Sequence, residues 1–329
     1  MPIHPTRRQM IALGCATLGV HTVQAAPAII VPDRAATHSI GGRAFASHWR
    51  ITAPVSVDLE ARRKAITALL DRIDRQMSPW RRDSDLTRFN IGSGERPVAP
   101  EAAFVARAAL EMARDSNGWF DPTVGPLVAQ WGFGTITGSQ AGHWQALSVE
   151  GNSLRKELPG LTMDLCGIAK GHALDLMLAH LRDAGLEDVL VDLGGELKSA
   201  GQHPSGRDWQ VAIEDPRRER QGFAAGLHLP ADMAVATSGL RAQGYDLGQR
   251  HYGHIIDPRL ARPAQGDLAS VSVLGSKAMQ ADGWATALFA AGAQGPEIAR
   301  DRGIAALFLF RNGSDLRAES TGGFDRHMI

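Results

Sequence analysis

Strand-like and helix-like runs follow one another in this chain without regular strand–helix–strand alternation, and that absence constrains the fold more than any other feature. Residues 44–53 alternate as a strand. From 57 to 77 apolar residues recur at helical spacing (Leu59, Ile66, Leu69, Leu70, Ile73) until Ser78-Pro79 stops the run. Residues 84–90 read as a short polar segment. Pro100 and Glu101 open a second helix that stops at Asn117-Gly118, and 118–138 is loop-rich. Short strands at 147–149 and 161–165 lead into a helix rich in Ala and Leu over 173–181, and 189–193 is an apolar strand ending at Gly194-Gly195. Strands at 209–214, 226–229, 234–237 and 271–274 precede a helix around Asp282 that ends near Gly292, and 305–310 closes as a buried strand. Parallel sheets need crossover helices between successive strands, so this order predicts an α+β fold with largely antiparallel sheets packed with helices.

The 329 residues suffice for one large core or two modest ones; a boundary could be drawn near 138–142, but no linker-like composition marks it. Lys and Arg total 35 against 35 Asp and Glu, without a long basic run, which argues against nucleic-acid binding. Only five of the cations are lysines (Lys64, Lys156, Lys170, Lys198, Lys277), so Lys170 is not part of a solvated lysine face.

Residues 1–25 read as an export signal: Arg7-Arg8 in a charged start, a weakly apolar run over 11–20, and a small-residue cleavage site at Val23-Gln24-Ala25. The paired arginines point to the twin-arginine route. Cys15 follows too short an apolar run for a lipid attachment site. Cys166 is then the sole cysteine after cleavage, so no internal disulfide forms, and a small buried side chain is the reading favoured over a reactive thiol. No later apolar run is long enough to span a bilayer, and no direct membrane insertion is expected after signal removal.

The chemistry concentrates in Met163-Asp164-Leu165-Cys166-Gly167-Ile168-Ala169-Lys170-Gly171, where a carboxylate, a flexible turn and a lysine meet at a helix mouth. Free backbone N–H groups there favour anionic oxygens. Downstream, Asp282 and Thr286 lie four apart on a helix, stacking two hard oxygen donors of the kind Mg²⁺ or Ca²⁺ takes. Phosphate chemistry with a divalent metal follows as the first hypothesis. Gly132-Phe133-Gly134-Thr135-Ile136-Thr137-Gly138 fails as a dinucleotide fingerprint on spacing, and Lys170 is followed by Gly171 rather than the Ser or Thr of a Walker loop. Trp119, Phe120 and Asp121 read either as core beside a helix end or as a wall for a flat ring with a carboxylate at its polar edge. His251 and His254 are three apart without a third zinc ligand, and a single His254 near the ligand, able to accept a proton, is the better reading.

Taken in order, Met77 to Trp80 with 84–90, Phe120 to Pro126, Asp164 to Gly171, Val191 to Glu196, Ala236-Thr237-Ser238-Gly239, His254 to Pro258 and Asp282 to Thr286 resemble the motifs of the FAD:protein FMN transferases, the ApbE-type flavin transferases, over residues 44–292. The resemblance implies an ApbE-like (T-fold-like) α+β domain over 26–329. It implies that FAD is bound as substrate with Mg²⁺ on its pyrophosphate, and that FMN moves to a threonine hydroxyl of a partner protein with release of AMP. By motif position Asp164 and Lys170 contact FAD, while Phe45, Trp80, Trp119, Phe120, Asp121 and Ile256 line the flavin or adenine pocket. The Gly167 carbonyl, Asp282 and Thr286 hold the metal, and His254 is the base. Ala285 stands where some members carry a second aspartate, and Phe45 where a methionine is frequent. The implied acceptor is an exported or membrane-bound redox protein, in keeping with a periplasmic location.

Two other readings share the same residues. An FAD pyrophosphatase would use water in place of threonine and give FMN and AMP. A non-catalytic FAD-binding assembly factor would need neither Asp282 and Thr286 as metal ligands nor His254 as base.

Overall fold

The computed structural model describes residues 36–248 and 250–329; the export-signal reading, including Cys15, falls outside them. An eight-stranded, wholly antiparallel sheet forms the frame, in the order Thr37–Ala44, Ser47–Pro54, Val189–Leu193, Glu196–Ala200, Ala234–Gly239, Leu268–Gly275, Ala306–Asn312 and Asp315–Thr321. Side chains alternate across it. One face carries Ala236, Val271, Val273, Ala306 and Phe308 into the main core with the helices, and the other carries Leu190, Leu197, Val235, Leu274 and Leu309 against the hairpin Trp209–Glu214 and Phe223–Leu229.

Helix Glu60–Met77 buries Ile66, Leu69, Leu70, Ile73 and Met77, the stripe legible in the sequence. It ends because Ser78 precedes Pro79, whose ring pushes its neighbour into the extended conformation found there. Pro100 occupies the first turn of Pro100–Asp115. That helix ends through left-handed Asn117 and Gly118, whose amide returns to the Ala113 carbonyl at 2.7 Å.

Several elements differ from the sequence reading. The strand read at 44–53 is the end of a hairpin: Phe45 and Ala46 both have positive φ and turn Thr37–Ala44 into Ser47–Pro54. The polar segment at 84–90 is a helix, Asp85–Ile91, capped by the Ser84 hydroxyl, which accepts from the Thr87 amide at 3.0 Å. Within the loop-rich 118–138, Gly125–Gln130 is helical. Residues 161–165 do not form a strand. The Asn90 side chain takes the place of a neighbouring strand, donating to the Met163 carbonyl and accepting from its amide, both at 2.8 Å. Lys156 secures the same loop, donating to the carbonyls of Phe89, Asn90 and Leu161. The chain does not close at residue 310, since Asp315–Thr321 adds an edge strand.

Candidate active site

Two helices carry three of the predicted site residues. Ala169–Asp183 holds Lys170 in its first turn, and Ala278–Ala290 holds Asp282 and Thr286 on successive turns. They approach closely because Gly171 lacks a side chain: a Cβ there would lie 2.3 Å from the Ala278 carbonyl oxygen. At this contact the Gly171 amide donates to Asp282 Oδ2 at 2.9 Å, and one turn away Thr286 Oγ1 lies 3.5 Å from the Gly167 carbonyl oxygen. Ser238, from strand Ala234–Gly239, brings its Oγ to 3.4 Å from Thr286 Oγ1. Gly167, Asp282 and Thr286 are thus brought together as the motif spacing implied, with Ser238 as an addition the sequence reading did not assign. Ala285 is fully buried between them in the core.

The helix mouth differs from expectation. Several of its amides are already engaged within the chain: Cys166 donates to Asp164 Oδ1 at 2.9 Å, Ile168 and Ala169 to the Leu165 carbonyl, and Gly171 to Asp282. Lys170 is the cation at this mouth. Lys170 Nζ donates to Glu196 Oε1 at 2.5 Å. Burial opposes its charge, but Glu196 and Asp282 more than offset burial and hold the ammonium well above its ordinary range.

Asp282 is almost fully buried; burial, with the Glu196 charge in support, pushes its carboxyl up to about 7 against the pull of Lys170 and the Gly171 amide. Asp192, buried at the turn before Glu196, is pushed up to about 6 mainly by burial, although it accepts from the Gly195 amide. Glu196 Oε2 is buried without a hydrogen-bond partner. A carboxylate excess around one lysine, beside an all-oxygen set of carbonyl, hydroxyls and carboxylate, fits a hard divalent cation. Among the described residues no three His, Cys, Asp or Glu side chains form a metal cage. A site of this kind suits Mg²⁺, which keeps waters and takes phosphate oxygens from its substrate.

The aromatic residues assemble unevenly. Phe120 packs at the Gly167 turn, since a Cβ on Gly167 would meet the Phe120 ring and Thr286 Oγ1, each at 3.1 Å. Trp119 is buried, with the Arg259 guanidinium 3.9 Å above its ring, and Ile256, three residues before Arg259, is buried as well. Asp121 turns inward: Oδ1 accepts from the Thr123 amide at 2.7 Å and its hydroxyl at 2.6 Å, while burial raises its carboxyl. That oxygen braces a turn and is not open to a ring edge. Asp164 is half-buried, raised by burial, with Oδ1 on the Cys166 amide. Trp80 is 58% exposed, at the rim, where the Pro79 carbonyl accepts from the Thr135 hydroxyl of the facing loop. Phe45 packs its ring on the core from the left-handed hairpin tip.

His254 Nδ1 lies 3.4 Å from the Gln243 carbonyl oxygen, which can only accept, so the neutral ring keeps its hydrogen on Nδ1 and a lone pair on Nε2. Burial, with the Lys170 charge in support, pushes the imidazole down to about 4 against the pull of the Gln243 carbonyl, so it is neutral at physiological pH. His251 belongs elsewhere, bonded to Asp246 at 2.7 Å.

Sequence reasoning missed a ladder of half-buried rings beside His254. Trp131 stacks on Tyr252 at 5.3 Å, Tyr252 on Tyr245 at 5.8 Å, Tyr245 on Phe133 at 5.3 Å, and Phe133 meets His254 edge-on at 6.4 Å. The stack fixes the hairpin Gly244–Leu247 and Arg250–Gly253 against the 131–134 loop. Its signal was Phe133 inside the rejected glycine-rich segment, with Trp131 just before it. A cavity of about 330 Å³ on the opposite sheet face, lined by Leu197, Ile213, Val235, Thr237 and Arg241, contains none of the predicted site residues.

Comparison with known proteins gives one consistent result. The model of the ApbE family matches residues 45–308. The FAD:protein FMN transferase of Vibrio cholerae serotype O1 is 32% identical over 295 residues, covering 83% of this chain and 86% of that protein. Among solved structures, the flavin transferase ApbE from Vibrio cholerae superposes with a TM-score of 0.77 at 30% identity, covering 88% of this chain and 99% of that one. The apo flavinyl transferase ApbE of Pseudomonas stutzeri gives 0.78 at 31% identity, covering 88% and 96%.

Proposed function

The chain belongs to the ApbE family, and we infer that it is an FAD:protein FMN transferase, moving FMN from FAD to a threonine hydroxyl of an acceptor protein with release of AMP. The observation that carries the site assignment is the convergence of the Gly167 carbonyl, Asp282, Thr286 and Lys170 at one helix contact, with neutral His254 close enough to feel the Lys170 charge.

In this reading Asp282, Thr286 and the Gly167 carbonyl hold Mg²⁺, with Ser238 beside them. Bound there, Mg²⁺ supplies charge neutralisation on the pyrophosphate oxygens. Lys170, aimed by Glu196, shares that charge, and Phe45, Trp119, Phe120 and Ile256 enclose the rings, with Trp80 at the rim. The Gln243 carbonyl fixes the tautomer that offers His254 Nε2 to the acceptor. The threonine proton passes to Nε2 as its oxygen bonds to the FMN phosphorus; the pyrophosphate P–O bond breaks, and AMP leaves with the bridging oxygen. The anionic substrate raises the basicity of an otherwise weak imidazole base.

Release of AMP separates transfer from hydrolysis. AMP that appears only when a threonine-bearing acceptor domain is added, and only with Mg²⁺, supports transfer. AMP and free FMN at an equal rate without acceptor would make the protein an FAD pyrophosphatase, and bound FAD without any AMP would make it an assembly factor. The export signal read at residues 1–25 supports a periplasmic enzyme acting on an exported or membrane-bound redox protein. Replacing Arg7 and Arg8 by lysine should strand the protein in the cytoplasm; unchanged fractionation would remove the twin-arginine route.

A further inference from the structure

Contacts at three levels, one per helical turn, join the helix Ala169–Asp183 and the turn before it to the helix Ala278–Ala290: Gly167 to Thr286, Gly171 to Asp282, and Asp175 to Ala278 and Met279. Each step of four residues forward on one helix meets a step of four back on the other, so the helices run antiparallel in fixed register. The first two contacts lie in the site. The third lies outside it, and we propose that Asp175 is a positioning residue that sets the height of the 278–290 helix and thereby the placement of Asp282 and Thr286.

The geometry gives Asp175 this role. Helix Ala278–Ala290 has no capping side chain of its own, for Lys277 at its N-cap makes no such bond. Asp175 supplies the cap from the neighbouring helix: Oδ1 accepts from the Ala278 amide and Oδ2 from the Met279 amide, both at 3.0 Å. A carboxylate holding two first-turn amides satisfies otherwise orphan donors and complements the positive end of the helix. Lys198 Nζ holds Asp175 Oδ1 at 2.5 Å and also donates to the Ser276 carbonyl at 2.9 Å, just before the helix begins. Lys198 shares a sheet face with Glu196, two residues earlier on the same strand, which grips Lys170. One strand therefore braces the first helix at Lys170 and at Asp175, with the charges exchanged between the two pairs. Asp175 thus sits on the first helix and bonds to the second helix and to the strand. The Gly171 contact leaves no slack to absorb a shift, because the Ala278 carbonyl already abuts the glycine backbone.

The inference rests on the metal role assigned to Asp282 and Thr286, and its test reads metal binding apart from transfer. Mn²⁺ is titrated into the protein and followed by electron paramagnetic resonance for wild type, Asp175→Asn and Asp175→Ala, with melting curves for each and transfer measured against Mg²⁺. Supporting results are Mn²⁺ binding about tenfold weaker in Asp175→Ala, an intermediate loss in Asp175→Asn, which keeps one acceptor oxygen, and transfer recovered at high Mg²⁺. Unchanged Mn²⁺ affinity in folded Asp175→Ala, or in Asp175→Asn if the alanine protein does not fold, overturns it. So does a lower melting temperature with the metal dependence of transfer unmoved. Wild type that binds Mn²⁺ without transferring FMN would defeat the transferase reading alone.

Discussion

The amide of Gly171 donates to the carboxylate of Asp282 at 2.9 Å, joining residues 111 apart in the chain. This bond aligns the helix that carries Lys170 with the helix that carries the proposed metal donors, and it exists because a glycine allows the two backbones to touch.

Gly171→Ala should therefore damage structure and site together. A methyl group 2.3 Å from the Ala278 carbonyl forces the helices apart. A loss of about 1–3 kcal/mol in stability is expected from such overpacking, readable in a denaturant titration, with transfer falling alongside.

Asp282→Ala tests the metal role. The protein should retain bound flavin, held by rings and Lys170, and lose transfer by about 100-fold or more, as when one group stabilising transition-state charge is removed. Flavin fluorescence and acceptor labelling read the two effects separately, and undiminished labelling would exclude Asp282 as a ligand.

His254 predicts a pH dependence with a definite sign. Its imidazole takes a proton near 4 in the folded protein but at about 6.5 when unfolded. Between those values acid protonates the unfolded chain first, so the contribution of neutral buried His254 is complete above 6.5 and is lost as pH falls toward 4. Melting temperatures across that window should fall less steeply in His254→Gln than in wild type. Transfer by the variant should be strongly reduced at every pH.

Phe45 sits at a hairpin tip with φ of 51°, a conformation that favours glycine or asparagine. Phe45→Gly should relieve the backbone while removing a ring from the proposed pocket. KM for FAD should rise several-fold with little change in melting temperature; a large stability loss with KM unmoved would make Phe45 a core residue only.

Periodicity made Glu60–Met77 legible, because that helix buries one stripe, and the missing strand–helix alternation gave the antiparallel α+β class. Lys170 beside Gly171, and Asp282 four residues before Thr286, are local spacings that each helix presents by itself; their meeting at one contact is tertiary. What escaped were features made by tertiary partners. The Asn90 amide holds 161–165 extended without a strand, and Ser84 caps a helix hidden in polar residues. The Cys166 and Gly171 amides at the helix mouth are taken by carboxylates from within the chain, and the ring ladder from Trp131 to His254 joins segments more than a hundred residues apart.

Mass spectrometry of a threonine-bearing acceptor domain, after incubation with the protein, FAD and Mg²⁺, tests the central claim most directly. The account predicts a gain of one FMN less one water on the acceptor threonine, abolished by EDTA and by replacing that threonine with alanine. An acceptor that stays unmodified while FMN and AMP accumulate would contradict it.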